Sequence, residues 1–159
     1  MKDEIKTFDN YKALVKEHVE TDSVSRRESI EDAVYDKAKE LLHKLRVLYA
    51  KYGKDYVNDS DYREDRGCLS LIEFNEYKVY MNYSDHWAYG GECDIGIEVQ
   101  MKYLDNDKMT VLEKELREEH IWAVKKKIQA KKEKIEQLKK EIEELEAEYF
   151  QHQDKEDIQ

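Results

Sequence analysis

The sequence contains no proline, five glycines and two cysteines among its 159 residues. Without proline, nothing in the chain forces a helix to kink or end, so long uninterrupted helices are possible. No run of about 18 apolar residues occurs, which excludes a membrane-spanning helix, and no secretory signal opens the chain. These absences predict a cytoplasmic protein with reduced thiols, and a bridge between Cys68 and Cys93 is the less favoured alternative.

Motifs for catalysis and for metal binding are also missing. The five histidines are scattered without zinc-ligand spacing, and neither a Gly-rich phosphate loop nor a nucleophile elbow occurs. The acidic segment 59–64 departs from the EF-hand pattern, because Glu64 stands where that loop needs glycine. We therefore predict a non-enzymatic protein with no catalytic residues, no metal and no cofactor. A Cys/His site at His86 and Cys93, or a magnesium-dependent nuclease using Asp94 and Glu98, is the alternative.

Negative charge dominates the chain. The formal net charge is −10, and residues 1–110 hold 17 basic and 24 acidic groups, a net charge of −7. Phosphates would repel this part of the chain, so we expect no direct nucleic-acid partner. The charge suits a basic protein surface, including one that normally binds nucleic acid, although solubility alone would also explain it.

Periodic apolar residues predict two N-terminal helices. Residues 1–20 carry an apolar stripe at three- and four-residue steps. A second stripe runs from Ile30 to Tyr52, with Ser25 at capping-box spacing before it and Gly53 just after it. Glycine at that place predicts a left-handed stop.

Three predicted strands follow: 68–74, which is rich in apolar residues, and 77–83 and 93–103, which have the two-residue period of β-strands. The short links between them favour an antiparallel meander. Three strands alone are marginally stable, so the second helix, with the first turns of the last helix, is expected to cover their apolar face.

The last third of the chain carries a heptad repeat from Ile121 to Tyr149, interrupted at Lys131. Thr110 is expected to open this helix, which would span about 41 residues and roughly 60 Å. The predicted fold class is α+β: two N-terminal helices, a three-stranded antiparallel meander and one long C-terminal heptad-patterned helix. The predicted division is a small α+β domain at 1–110 and a helix at 111–159, packed proximally on the domain and frayed after about residue 150.

The charges beside the heptad stripe restrict its partners. Residues 125–140 contain eight lysines and two glutamates, whereas residues 141–148 contain five glutamates and no base. A parallel homodimer would oppose like charges at three flanking pairs, and an antiparallel one would relieve this repulsion. We expect a monomer, with the stripe packed on the chain's own helices and a partner surface, or an antiparallel homodimer. The like-charged parallel pairs are Lys127–Lys132, Lys134–Lys139 and Glu141–Glu146.

Aromatic residues crowd into residues 80–89, from the end of the second predicted strand through the aromatic loop that we expect to follow it and to end at Gly90. Tyrosine and tryptophan are enriched at protein-interface hot spots because they combine apolar area with a polar group. The alternative is that Tyr83 and Trp87 complete the core of the sheet. The candidate partner-binding residues are Tyr80, Tyr83, Asp85, His86, Trp87 and Tyr89, with the acidic residues Asp59, Asp61, Glu64 and Asp65 of the preceding loop.

The run GGECDIGIEVQMKY after DHWAY, the opening IKTFDNYKALVKEHVE and the Lys-then-Glu helix resemble the small staphylococcal type II-A anti-CRISPR proteins. The resemblance covers the whole chain but has no diagnostic motif, so it transfers no residue roles. It implies an inhibitor that binds the type II CRISPR effector nuclease of the host cell by protein–protein contact at the HNH domain. Because HNH movement licenses cleavage, cleavage would stop while DNA binding persists. The alternatives are an acidic DNA-mimic decoy that fills the DNA channel, and a phage assembly protein that oligomerises through the coiled coil.

Overall fold

The computed structural model describes residues 4–57, 62–63, 65–87 and 90–156, without the side chains of Trp87 and of residues 154–156. The fold is α+β, and the order and type of its elements confirm the predicted fold class. No helix in these ranges is both long and apolar enough to cross a membrane. The elements are α1 (Phe8–Glu20), α2 (Val24–Lys51), β1 (Cys68–Phe74), β2 (Lys78–Trp87), β3 (Gly91–Gln100), a 3-10 turn (Met101–Leu104) and α3 (Asn106–Glu156).

Helix α2 begins at a different serine from the one predicted. The hydroxyl of Ser23, not Ser25, accepts a hydrogen bond from the backbone N–H of Arg26 at 3.3 Å. Val24 is already helical, so Ser25 lies inside the first turn. The predicted stop is confirmed: Gly53 has φ 68°, and it follows the last helical turn as a glycine in the left-handed region commonly does.

The sheet has the order β1-β2-β3, with β2 in the centre and both pairings antiparallel. Its inner face is built from aligned pairs such as Val79 with Val99 and Met81 with Ile97, and all four side chains are buried. The prediction that β3 reaches residue 103 was wrong, because residues 101–104 form a 3-10 turn.

Helix α2 covers the inner face and contacts all three strands, as the sequence predicted. Its apolar stripe is buried, and burying each large aliphatic side chain contributes about 1.5–3 kcal/mol. Helix α1 is fastened to the turn between β1 and β2, because the buried hydroxyl of Tyr11 donates to the backbone carbonyl of Asn75 and lies 3.3 Å from that of Lys78. The buried residues of α2 are Ile30, Ala33, Val34, Ala38, Leu41, Leu42 and Leu45.

Helix α3 begins at Asn106, earlier than the predicted Thr110, whose hydroxyl donates to the Asn106 carbonyl within the first turns at 2.8 Å. The chain divides into two compact units, Met1–Leu116 and Arg117–Gln159. The first unit includes the start of α3, where Leu112 and Leu116 are buried in the core.

Candidate interaction surface

The strands alternate, so the residues between the core positions form a second face of the sheet. We call it the outer face. Its β2 residues are partly or fully exposed, and its β3 residues are exposed except Gln100, which is partly so. The helices that build the core pack on the inner face, and the outer face remains open to solvent in the described chain. The paired residues of the outer face are Tyr80 with Glu98, Asn82 with Gly96, Ser84 with Asp94, and His86 with Glu92.

The outer face carries exposed carboxylates, which make it acidic. The ammonium group of Lys78 lies 2.9 Å from a carboxylate oxygen of Glu98, and this hydrogen bond lowers the pKa of Glu98 below its usual value. Asp94 accepts a hydrogen bond from the side-chain amide of Asn82 at 3.2 Å. Both acids are solvent-exposed, so they are accessible to a basic partner.

Gly96 separates the two acids on β3. A Cβ atom added there would meet nothing within 4 Å. The middle of the outer face is therefore flat, and the backbone of Gly96 is accessible to a partner. Tyr80 lies beside this gap, and the ammonium group of Lys78 sits 5.3 Å from the centre of its ring. A flat surface with one aromatic ring and flanking carboxylates can contact a protein partner by stacking and by charge.

The segment that we expected to be an aromatic loop is instead the end of a strand. β2 continues to Trp87 and pairs with β3 over its full length, so residues 80–87 are strand and not loop. Strand geometry then sends neighbouring side chains to opposite faces. The prediction of a loop was wrong because β3 supplies backbone partners as far back as Gly91.

Tyr83 lies in the core. Its side chain is 1% exposed, its ring centre lies 4.6 Å from that of Tyr62, and its hydroxyl accepts a hydrogen bond from the backbone N–H of Arg63 at 3.1 Å. A Cβ atom on Gly67 would come within 2.1 Å of its ring. This buried position agrees with the alternative prediction that Tyr83 completes the core of the sheet.

The other candidate residues divide between the two faces. Asp85, on the inner side and partly buried, lies 3.5 Å from the Tyr83 hydroxyl. His86 is exposed on the outer face, where its Nδ1 lies 4.0 Å from a carboxylate oxygen of Glu92. Asp65 is exposed. The side chain of Trp87, and all of Tyr89, Asp59, Asp61 and Glu64, lie outside the described residues.

In the structure, Tyr80 and His86 therefore lie beside β3 residues that were not predicted from the sequence to bind a partner. Glu92 and Glu98 were missed as candidate partner-binding residues, although the alternation in 93–103 already placed Glu98 opposite the apolar side chains. Pairing between β2 and β3 decides which β3 residue lies beside which tyrosine, and pairing cannot be read from one strand alone.

The geometry gives little support to the enzymatic alternatives. Asp94 and Glu98 are four residues apart on one strand, about 13 Å, which is too far for one magnesium ion to bridge. His86 is on the outer face, whereas Cys93 is buried on the inner face. Cys68 and Cys93 lie on opposite edge strands and form no disulfide. In the described ranges, no group of three or more His, Cys, Asp or Glu residues could hold a metal ion.

A groove of about 500 Å³ lies on the inner side, between α2 and the segment that follows it. Charged residues of both signs on α2, such as Lys39 and Glu40, form one wall, and Tyr62 and Leu69 contribute to the other. The guanidinium group of Arg46 stacks 4.2 Å from the ring centre of Tyr62. Because acidic and basic side chains both line this groove, its charge does not indicate whether a ligand would be positive or negative.

The second compact unit carries a separate surface, the apolar stripe of α3. Every described side chain from Arg117 to Gln153 is exposed within this structure. The stripe consists of Ile121, Val124, Ile128, Ile135, Leu138, Ile142, Leu145 and Tyr149, which are 40–64% exposed.

No family model matches the chain, and no curated protein or solved structure matches it. Fold and surfaces together define a small α+β protein with an open acidic sheet face and an exposed helical stripe. What the chain does is therefore argued from these two surfaces and from the resemblance in its sequence.

Proposed function

We propose that this chain is a non-enzymatic inhibitor of a type II CRISPR effector nuclease and acts by protein–protein contact in the bacterial cytoplasm. The observation that carries the proposal is the outer face of the sheet, where Tyr80 and exposed carboxylates are open to solvent. A nuclease that holds nucleic acid must present basic surfaces, and an acidic face is complementary to them.

Contact with the HNH domain is favoured over a DNA-mimic decoy by the size of the acidic surface. The carboxylates from Glu92 to Glu98 span six residues of strand, about 20 Å. That length corresponds to about six base pairs at 3.4 Å per step, far less than the roughly 20-base-pair channel. A patch of this size suits one domain surface, and blocking HNH movement would stop cleavage without displacing DNA.

Co-purification tests the proposal first. The chain, mixed with a guide-loaded type II nuclease, should elute as a complex. That complex should still retard target DNA in a gel shift and should fail to cut it when magnesium is added. Loss of DNA binding that salt reverses would favour the decoy. If no complex forms, the proposal is wrong, and a defined oligomer of the chain alone would then favour the assembly protein.

A matched pair of substitutions locates the contact. Asp94→Lys reverses one charge on the outer face, and Asp22→Lys makes the same change at an exposed position between α1 and α2. We expect Asp94→Lys to weaken nuclease binding by at least tenfold and Asp22→Lys to leave it within about twofold. Circular dichroism confirms that both variants fold. Equal binding by the two variants would exclude the outer face as the contact surface.

A further inference from the structure

The apolar stripe of α3 has the length and spacing of a coiled-coil seam but no cover in the described chain. Apolar side chains at the a and d positions normally insert into holes on a facing helix. Here eight of them stay at least 40% exposed. An apolar surface this long on one helix indicates an association site, and the flanking charges identify the occupant.

We propose that α3 pairs with a second copy of itself as an antiparallel dimer, in the register that sets Ile128 opposite Leu145 of the second copy. In antiparallel coiled coils each a residue faces a d residue, so one such pair defines all the others. Lys131 is the one charged member of the seam, and its aliphatic stem can lie along Ile142 while the ammonium group reaches water. The layers are Ile121–His152, Val124–Tyr149, Ile128–Leu145, Lys131–Ile142 and Ile135–Leu138, each occurring twice.

Charge selects this register over its neighbours. Antiparallel helices bring g residues against g residues and e residues against e residues, so the lysine block of one copy faces the glutamate block of the other. Three flanking pairs are of opposite sign and one is of like sign, whereas a parallel dimer has like charges at the three corresponding pairs. The attractive pairs are Lys127–Glu148, Lys134–Glu141 and Lys125–Glu146, and the repulsive one is Lys132–Lys139.

Registers one heptad away are worse for the same reason. Setting Ile128 opposite Leu138 brings Lys132 and Lys134 each against its own copy. Setting Ile135 opposite Leu145 brings Lys139 against Lys139 and Glu141 against Glu141. Like charges at such contacts are destabilising, so the proposed register has the best balance of the three.

The length of the helix supports the same register independently. With Ile128 opposite Leu145, Glu156, the last described residue of α3, lies opposite Arg117, where the second compact unit begins. The overlap then uses all of the described helix in that unit, about 40 residues or about 60 Å at 1.5 Å per residue. A shift by one heptad would either extend the overlap to Thr110, among residues of the first unit, or set Ile121 opposite position 159, outside the described residues.

Disulfide trapping tests orientation and register together. Single-cysteine variants Ile128→Cys and Leu145→Cys are made in a Cys68→Ser, Cys93→Ala background that sediments like the natural chain. Under mild oxidation the mixture should give a disulfide-linked heterodimer, and neither variant alone should cross-link. Cross-linking of each variant with itself would show a parallel dimer and overturn the proposal.

Sedimentation equilibrium of the natural chain should give twice the 19.2 kDa monomer mass. Glu141→Lys should raise the dimer dissociation constant about tenfold, because it converts two attractive pairs into repulsive ones. Glu143→Lys makes the same charge change away from the seam and should have little effect. Monomer at every concentration up to about 100 µM, a larger assembly, or equal effects of the two substitutions would each refute the proposal. The nuclease is absent from these measurements, so their outcome is independent of the proposed function.

Discussion

Two tyrosines three residues apart on β2 should respond in opposite ways to truncation. Tyr83 is 1% exposed on the inner face, and Tyr80 is partly exposed on the outer face. Replacing each by alanine is the same chemical change at neighbouring positions of one strand. Tyr83→Ala should therefore lower the free energy of unfolding of the domain, whereas Tyr80→Ala should weaken partner binding.

The magnitudes follow from the surroundings of the two rings. Removing a fully buried aromatic ring costs about 3–5 kcal/mol, and the backbone N–H of Arg63 also loses its acceptor, the Tyr83 hydroxyl. Tyr80→Ala loses mainly a cross-strand contact, about 0.2–1 kcal/mol. At about 2–4 °C per kcal/mol for a chain of this size, Tyr83→Ala should lower Tm by about 6–20 °C and Tyr80→Ala by about 0.4–4 °C.

Urea unfolding followed by far-UV circular dichroism measures both variants, and Tyr83→Phe serves as a control that keeps the ring. Tyr83→Phe should lose about 1 kcal/mol and should bind the nuclease as the natural chain does. The reasoning is refuted if Tyr83→Ala and Tyr80→Ala share one urea midpoint. It is also refuted if Tyr83→Phe weakens binding without changing that midpoint.

Three further substitutions test other parts of the structure. Gly67→Ala should destabilise the domain in urea unfolding, because its Cβ would lie 2.1 Å from the Tyr83 ring; a natural midpoint would contradict this contact. Burial raises the pKa of Tyr56 to about 12, so the stability that its retained proton contributes is complete below about pH 10 and is lost as pH rises towards 12. The Tyr56→Phe variant should therefore lose less stability over that interval than the natural chain. The same pH dependence in both proteins would contradict the role assigned to the Tyr56 proton. Lys131→Leu should tighten the α3 dimer in sedimentation by at least tenfold, since it makes two layers fully apolar; no change would speak against a seam at this position.

The helices were largely predictable because their signals are local. The apolar stripe that ends before Gly53 marks α2 and its stop, and glycine at that place adopts the positive φ that the left-handed turn requires. The start of α2 was misplaced by two residues because Ser23 and Ser25 offer the same chemistry to the backbone. Only the fold of the first turn decides which hydroxyl reaches Arg26.

The candidate site was less predictable, because it depends on strand pairing. The aromatic composition of residues 80–89 indicates an interface or a core with equal force. Once β3 extends β2 to Trp87, the alternation sends Tyr80 and His86 to one face and Tyr83 and Asp85 towards the other. Residues adjacent in the sequence thus acquire different surroundings.

The sequence by itself determined the order of helices and strands, the excess of acidic residues and the heptad spacing of the last helix. These properties depend on residue type and on separation along the chain, and both are visible in one dimension. Tertiary structure decided that Tyr83 is buried, that the outer face of the sheet is open, and that the heptad stripe is uncovered. Burial and exposure depend on which distant segments come together, and one sequence carries no record of those contacts.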